Sequence, residues 1–309
     1  MTCVDSTPTV CVCVCVCVCV YLLCAAVGCD LQTLVHRGDV VTGVTLLDNL
    51  LYVLRNTSSR QIEVYDRNSH RLKRRLTVSG LGRSTAIVAC AYYRCGYIGD
   101  IDNDCIHRLS LPGADVTQWP VSDDPTGVSV TDRHSVLVTC RVVREIEEFT
   151  TDGQLIRQLQ LPDSVKSPQH TIQLSSGEFI LTNSACFGDP LFDPFCVSGP
   201  FSFLDPLHAV CLISSGGQLV KSYISAERSG SQQMLRHFVV DRRGFVFVAD
   251  YFDYRVLLLS PSLNYIREVV SRDRLQGCPQ CLCLDADESR LYVAVSDGIS
   301  CGRLVVVNV

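Results

Sequence analysis

Residues 238–270 read FVVDRRGFVFVADYFDYRVLLLSPSLNYIREVV, four short apolar runs separated by turn signals. Arg242-Arg243-Gly244 is the first turn, and Gly244 can take positive φ there at little steric cost. Residues 245–249 are continuously apolar, as suits a strand packed on both faces. The polar and aromatic residues 250–254 turn the chain into a second buried strand at 256–259. Residues 261–264 turn it back, and 265–270 alternate as a half-exposed outer strand. Helical periodicity is absent. A single antiparallel sheet of four strands accounts for the stretch.

The same grammar recurs along the chain. The apolar-aromatic-apolar triplet of the second strand has six copies, centred on Tyr52, Tyr97, Leu137, Ile180, Phe247 and Tyr292. Their spacings are 45, 40, 43, 67 and 45 residues, and four of the five fit the window of about 40–50 residues expected of propeller blades. The long interval implies an insertion at 183–207. A third strand follows each anchor, at 62–65, 106–109, 146–149, 210–213, 256–259 and 304–307. The last copy reaches Val309 without a fourth strand. Residues 31–36 (LQTLVH) have the composition to supply it, pairing beside 304–307 so that no sheet edge stays open. The expected fold is all-β: a six-bladed β-propeller over residues 30–309, closed by an N-terminal strand.

The repeat resembles the NHL family. Its pattern is Pro-x-Gly-aliphatic-x-Val-Asp, a glycine turn, an apolar strand ending in Ala-Asp, and an Asn-x-Arg-Val step. Asp241, Gly244, Ala249, Asp250, Arg255 and Val256 match it in one copy, with Asp253 and Leu235 where Asn and Pro are usual. Pro279, Leu284 and Asp285 match in the last copy, which lacks the Arg-Val step. Propellers of this family mostly present surfaces to protein or RNA, and a few are enzymes. The RING and B-box arrays that often accompany them have no counterpart in this chain.

Residues 1–29 lie outside the repeat. They hold five successive Cys-Val pairs at 11–20 within an apolar run from 10 to 28. No basic residue precedes the run, where an orienting charge is expected of a signal or anchor. A perfect Cys-Val repeat is also what a dinucleotide microsatellite encodes in frame. The segment is therefore an artefact, a signal or an anchor, and only the last two would export the domain or attach it to a membrane. Of the nineteen cysteines eight precede residue 30 and eleven follow. Several of the eleven sit inside apolar strands as small hydrophobes, so the expected compartment is reducing and cytoplasmic.

Four features bear on chemistry. Between Arg55 and Arg83 there are eight Lys/Arg against two acids, densest at Arg71, Lys73, Arg74 and Arg75. These four are the candidate RNA contacts, the alternative being a solvated outer strand. From Asp100 to Asp152 the balance reverses to eleven acids against four Arg. The innermost strands place His170, His237 and Cys281 at equivalent positions near the axis, a set from which zinc could be held. The Pro168-Gln169-His170 step is similar to the proline-preceded channel histidines of the peptidyl-amidating lyases, although that family's catalytic Tyr and Arg have no counterpart here. Cys278-Pro279-Gln280-Cys281 has the Cys-x-x-Cys form but lacks the second pair of a zinc ribbon. The insertion carries Phe187, Phe192, Phe195, Phe201 and Phe203 among four prolines, too apolar for an idle loop: it is expected either to contact a partner or to fold back over the channel mouth as a plug.

These features favour a monomeric, non-catalytic platform that binds protein through its face loops and the Phe/Pro insertion, without a cofactor. RNA binding on the first blade is the alternative, and a zinc-dependent enzyme a further one.

Overall fold

The computed structural model of the protein describes residues 31–35, 39–55, 61–111, 115–183, 208–224, 234–296 and 302–309. Residues 1–30 and most of the insertion, with all five of its phenylalanines, lie outside the described residues. The described residues form six antiparallel four-stranded sheets. Blade one is β2 (Val41–Leu47), β3 (Leu50–Arg55), β4 (Gln61–Asp66) and β5 (Leu72–Thr77). Blade two is β6 (Ser84–Cys90), β7 (Cys95–Asp100), β8 (Cys105–Ser110) and β9 (Val116–Pro120), and blade three is β10 (Pro125–Val130), β11 (Val136–Cys140), β12 (Glu145–Phe149) and β13 (Leu155–Gln160). Blade four is β14 (Pro168–Gln173), β15 (Phe179–Asn183), β16 (Ala209–Ile213) and β17 (Leu219–Tyr223). Blade five is β18 (Leu235–Val240), β19 (Val246–Asp250), β20 (Arg255–Leu259) and β21 (Tyr265–Val270).

Blade six closes the ring. Its strands β22 (Cys278–Leu284), β23 (Arg290–Ser296) and β24 (Gly302–Asn308) come from the C-terminal end, and β1 (Gln32–Val35) adds from the N-terminal side in the order β1-β24-β23-β22. Gln32 pairs Val306 and Thr33 pairs Val305, so the expected closing strand is where the sequence placed it. The first strands pack on one another in an unbroken ring, β2 against both β6 and β22. Among the described residues the one departure from all-β is a single helical turn, α1 (Arg272–Leu275), between blades five and six.

The core is divided into slabs between adjacent sheets. Tyr52, Leu54 and Ile62 of blade one meet Ile87, Ile98 and Leu109 of blade two. Phe247, Ala249 and Leu258 of blade five meet Leu282, Leu291 and Val293 of blade six. Each second strand therefore has a buried slab on both faces, which is why residues 246–250 and 179–183 read as continuous runs. Outer strand β21 departs from the expected alternation: exposure falls steadily from Tyr265 to Val270. Its two bulges against β20 tilt it, with Tyr265 turned out and Val270 in.

Candidate functional site

Every first strand carries a β-bulge near its start. The register shifts fall at Val41/Gly43, Ser84/Ala86, Pro125/Gly127, Pro168/His170, Leu235/His237 and Pro279/Cys281. Gly43, Ala86, Gly127, His170, His237 and Cys281 are thus structurally equivalent. Half of this ring is small because adjacent strands crowd together. A Cβ on Gly43 would lie 2.8 Å from Ile87 Cγ2, and one on Gly127 would lie 2.5 Å from the Gln169 carbonyl and 2.7 Å from His170 Cα. Hydroxyls stitch this half: Thr85 Oγ1 donates to the Pro125 carbonyl (2.6 Å) and Thr126 Oγ1 to that of Pro168 (3.1 Å).

The other half holds two imidazoles and a thiol. His170 and His237 stack with ring centroids 4.3 Å apart and planes 16° apart, and the edge of Phe238 meets His170. The backbone N–H of Leu282 donates to His237 Nδ1 (3.3 Å), tying blade five to blade six. Cys281 stands apart from this stack, packed with Val41, Val44 and Tyr292 between blades six and one. Two of the three candidate channel ligands are therefore brought together, as stacked faces, and the third is not.

Burial lowers the His170 pKa from 6.5 to about 4 and pushes His237 well down, the latter aided by His170 and Arg236. The folded state thus takes up these protons less readily than the unfolded chain. The stabilisation from keeping the rings neutral is complete above pH 6.5 and is lost as pH falls toward 4, by roughly 3 kcal/mol for His170. In thermal melts between pH 7 and pH 4.5, His170→Phe, which retains a ring for His237 to stack on, is expected to flatten the acid fall in Tm. An unchanged slope would place the titrating groups elsewhere.

The second cluster lies where the second strands end. In blade five Arg255 Nε bonds Asp250 (3.0 Å) and its other nitrogens reach Asp253 and Glu268. In blade one the signs are exchanged, with Arg55 on Glu63 at 2.7 Å. In blade three Glu147 is buried and accepts from Gln158 Nε2 (2.9 Å) and the Cys140 thiol (3.4 Å). In blade two the position of Arg255 is held by Cys105, and His107 reaches the carboxylate instead. His107 Nε2 lies 2.9 Å from Asp100 Oδ2 and 3.5 Å from Cys105 Sγ, and all three side chains are buried. Asp100 also accepts the Gly82 N–H (2.6 Å), Asn103 Nδ2 (2.8 Å) and the Asp102 N–H (3.1 Å). Burial is the largest influence on Asp100 and acts upward, yet the bonds from His107, Gly82 and Asn103 together hold its pKa below the usual carboxylate value. Burial, with Asp100 and Asp104 beside it, pushes the Cys105 thiol up to about 11.

This trio has the residue types of a nucleophilic relay but not its geometry. A relay uses both ring nitrogens, one for the nucleophile and one for the orienting acid. Here sulfur and carboxylate share Nε2, and Nδ1 is buried without a partner.

The remaining candidates are dispersed. Arg71, Lys73, Arg74 and Arg75 are all exposed on or beside β5. Lys73 is paired with Asp66 (3.0 Å) and Arg75 with Glu63 (3.5 Å) on the same blade. The acidic stretch 100–152 is partly internal: Asp100, Asp124, Glu147 and Glu148 are buried, whereas Asp102, Asp104, Asp115, Asp132 and Asp152 are exposed. Cys278 and Cys281 are free, as are the other described cysteines, of which only Cys283 is not buried. A cleft of about 560 Å³ opens between blades five and six, lined by Tyr254, Arg272, Asp273, Gln276, Gly277, Cys278 and Ser296. Among the described residues no helix is long and apolar enough to cross a membrane.

No family model and no curated protein matches the chain. Solved structures do match. An inactive histidine-to-alanine variant of virginiamycin B lyase from Staphylococcus aureus, with quinupristin, superposes with a TM-score of 0.64 at 12% identity over 91% of this chain and 99% of that one. A streptogramin B lyase gives 0.62 at 12% identity, covering 90% and 98%. Hydrazine synthase of Kuenenia stuttgartiensis gives 0.59 at 13% identity, covering 84% and 74%. The six-bladed propeller is what they share.

Proposed function

We propose that the protein is a non-catalytic binding platform that captures a protein partner through its propeller face loops and the Phe/Pro insertion. The observation that carries the reading is an exposed aromatic cluster on the turns joining first and second strands of blades two and three. Tyr92 is 69% and Tyr93 45% exposed. Tyr92 stacks on His134 of the next blade at 4.4 Å, and Tyr93 meets both rings edge-on. Beside them Arg94 is held by Asp48 of blade one at 2.6 Å. Rings fixed by one another lose little freedom on binding, and Tyr and Arg dominate interface energetics. Phe187, Phe192, Phe195, Phe201 and Phe203 are proposed as a second contact surface on compositional grounds. The RNA reading has less support, because half of its basic cluster is neutralised within blade one.

Affinity capture from the protein's own cell extract, with and without RNase, tests the reading. Specific proteins are expected to survive RNase and to be depleted about 30-fold by Tyr92→Ala/Tyr93→Ala, as loss of a 2 kcal/mol anchor implies. Deleting residues 186–206 is expected to weaken capture while the domain stays folded. Capture that vanishes with RNase, or survives both changes intact, would overturn the proposal.

A further inference from the structure

We propose that Asp100, Cys105 and His107 form a binding site for one thiophilic divalent transition-metal ion, with zinc as the expected occupant. The site is independent of the platform reading. Its three donors are an oxygen, a sulfur and a nitrogen, all lying within 4.8 Å of one another in the interior of blade two. Around a tetrahedral zinc with bonds of about 2.0–2.3 Å, donors stand roughly 3.3–3.7 Å apart. The Sγ–Nε2 separation is already 3.5 Å, and the Nε2–Oδ2 separation of 2.9 Å needs only a few tenths of an ångström of opening.

Backbone register supplies this placement. Asp100 and Cys105 are directly opposed across the β7–β8 pair, and Cys105 and His107 share one face of β8, two residues apart. A fourth position could be filled by water or by the carbonyl oxygen of Asn103 after its amide turns, since Asn103 already touches Asp100.

Two observations point to a cation. First, one ring nitrogen carries either a hydrogen or a lone pair. His107 Nε2 can donate to Asp100 or accept from the Cys105 thiol, but it cannot do both. A metal seated among the three groups satisfies all of them at once. Second, the equivalent buried carboxylate of blade five, Asp250, is met by the guanidinium of Arg255. Blade two replaces that guanidinium with a thiol, and its aspartate–histidine pair is a full ion pair only when the imidazole is protonated. A divalent ion restores the missing positive charge. On binding, the Cys105 thiol releases its proton to solvent and its sulfur lone pair forms the metal bond, with no change of oxidation state. The N–H groups of Gly82 and Asp102 then remain as outer-sphere donors to the carboxylate.

The full chain, purified after growth with added zinc, is compared with Cys105→Ser and His107→Gln by metal analysis, after circular dichroism confirms the fold. The eight cysteines before residue 30 are common to all three proteins, so the difference between proteins is the readout. Wild type is expected to hold one equivalent more than either variant. Its cobalt-substituted form should show a near-ultraviolet thiolate-to-cobalt band that is reduced in Cys105→Ser. If Cys105→Ser does not fold, Cys105→Ala serves in its place. Equal metal content in wild type and the folded variants, or an unchanged cobalt spectrum, overturns the assignment.

Discussion

A chain shortened to begin at residue 37 is expected to lose its cooperative fold and aggregate, whereas one beginning at residue 30 keeps the Tm of the full chain. The shorter form lacks β1, so β24 becomes an open edge. The lost ladder is worth about 1 kcal/mol per hydrogen bond. Removing Leu31, which packs against the slab between blades five and six, uncovers apolar surface worth a further 2 kcal/mol or so. The total is on the order of 5 kcal/mol, comparable with the whole stability of many domains. Size-exclusion chromatography and thermal melts of the two truncations read the outcome. Equal behaviour of the two would mean that the ring does not depend on its N-terminal strand.

The second large effect is expected from Arg255→Ala. Arg255 is 7% and Asp250 0% exposed, and the arginine gathers Asp250, Asp253 and Glu268 around one cation. Its removal leaves a buried carboxylate unpaired beside two others, at a cost of about 3–5 kcal/mol. The loss is pH-dependent, with a definite sign. Burial pushes Asp250 up to about 6 against the pull of Arg255. Its folded state therefore prefers the protonated acid, and the associated stabilisation, full below about 3.8, is lost as pH rises through 6. Without Arg255 that loss deepens, so the variant should lie closer to wild type at pH 4.5 than at pH 7.5. Adding Asp250→Asn to the variant should recover stability at pH 7.5. A deficit independent of pH would mean that Arg255 acts through packing of its stem alone. The slope from Asp250 opposes that of the channel histidines, so wild type is flatter across mild acid than either group alone would make it.

The blade count, the second and third strands and the closing strand were legible because spacing and apolar runs follow directly from two-sided burial. The equivalence of His170, His237 and Cys281 was legible too, since repeat position fixes it. Whether those side chains converge or stack was not, because the angle between neighbouring blades decides that and leaves no mark in any one repeat. The trio in blade two was hidden differently. Asp100 and Cys105 oppose each other only once the hairpin register is known, and the surrounding acids read as surface charge although Glu147 and Glu148 are internal acceptors. A usable signal existed: Asp-x4-Arg at 250–255 and Asp-x4-Cys-x-His at 100–107 occupy the same place in their blades.

The antiparallel seam between β1 and β24 also has a mechanical meaning. Gln32 pairs with Val306, near the C-terminal end of β24, and β1 then runs toward Leu304. Both outward-leading ends of the seam therefore leave the sheet on the same side. Tension applied at Gln32 and Asn308 would load the hydrogen bonds one after another, as a zip opens, and not all together in shear. The contact on which the ring depends is thus one that a modest pull undoes first, and the slabs of the other blades would come under load only after it has parted.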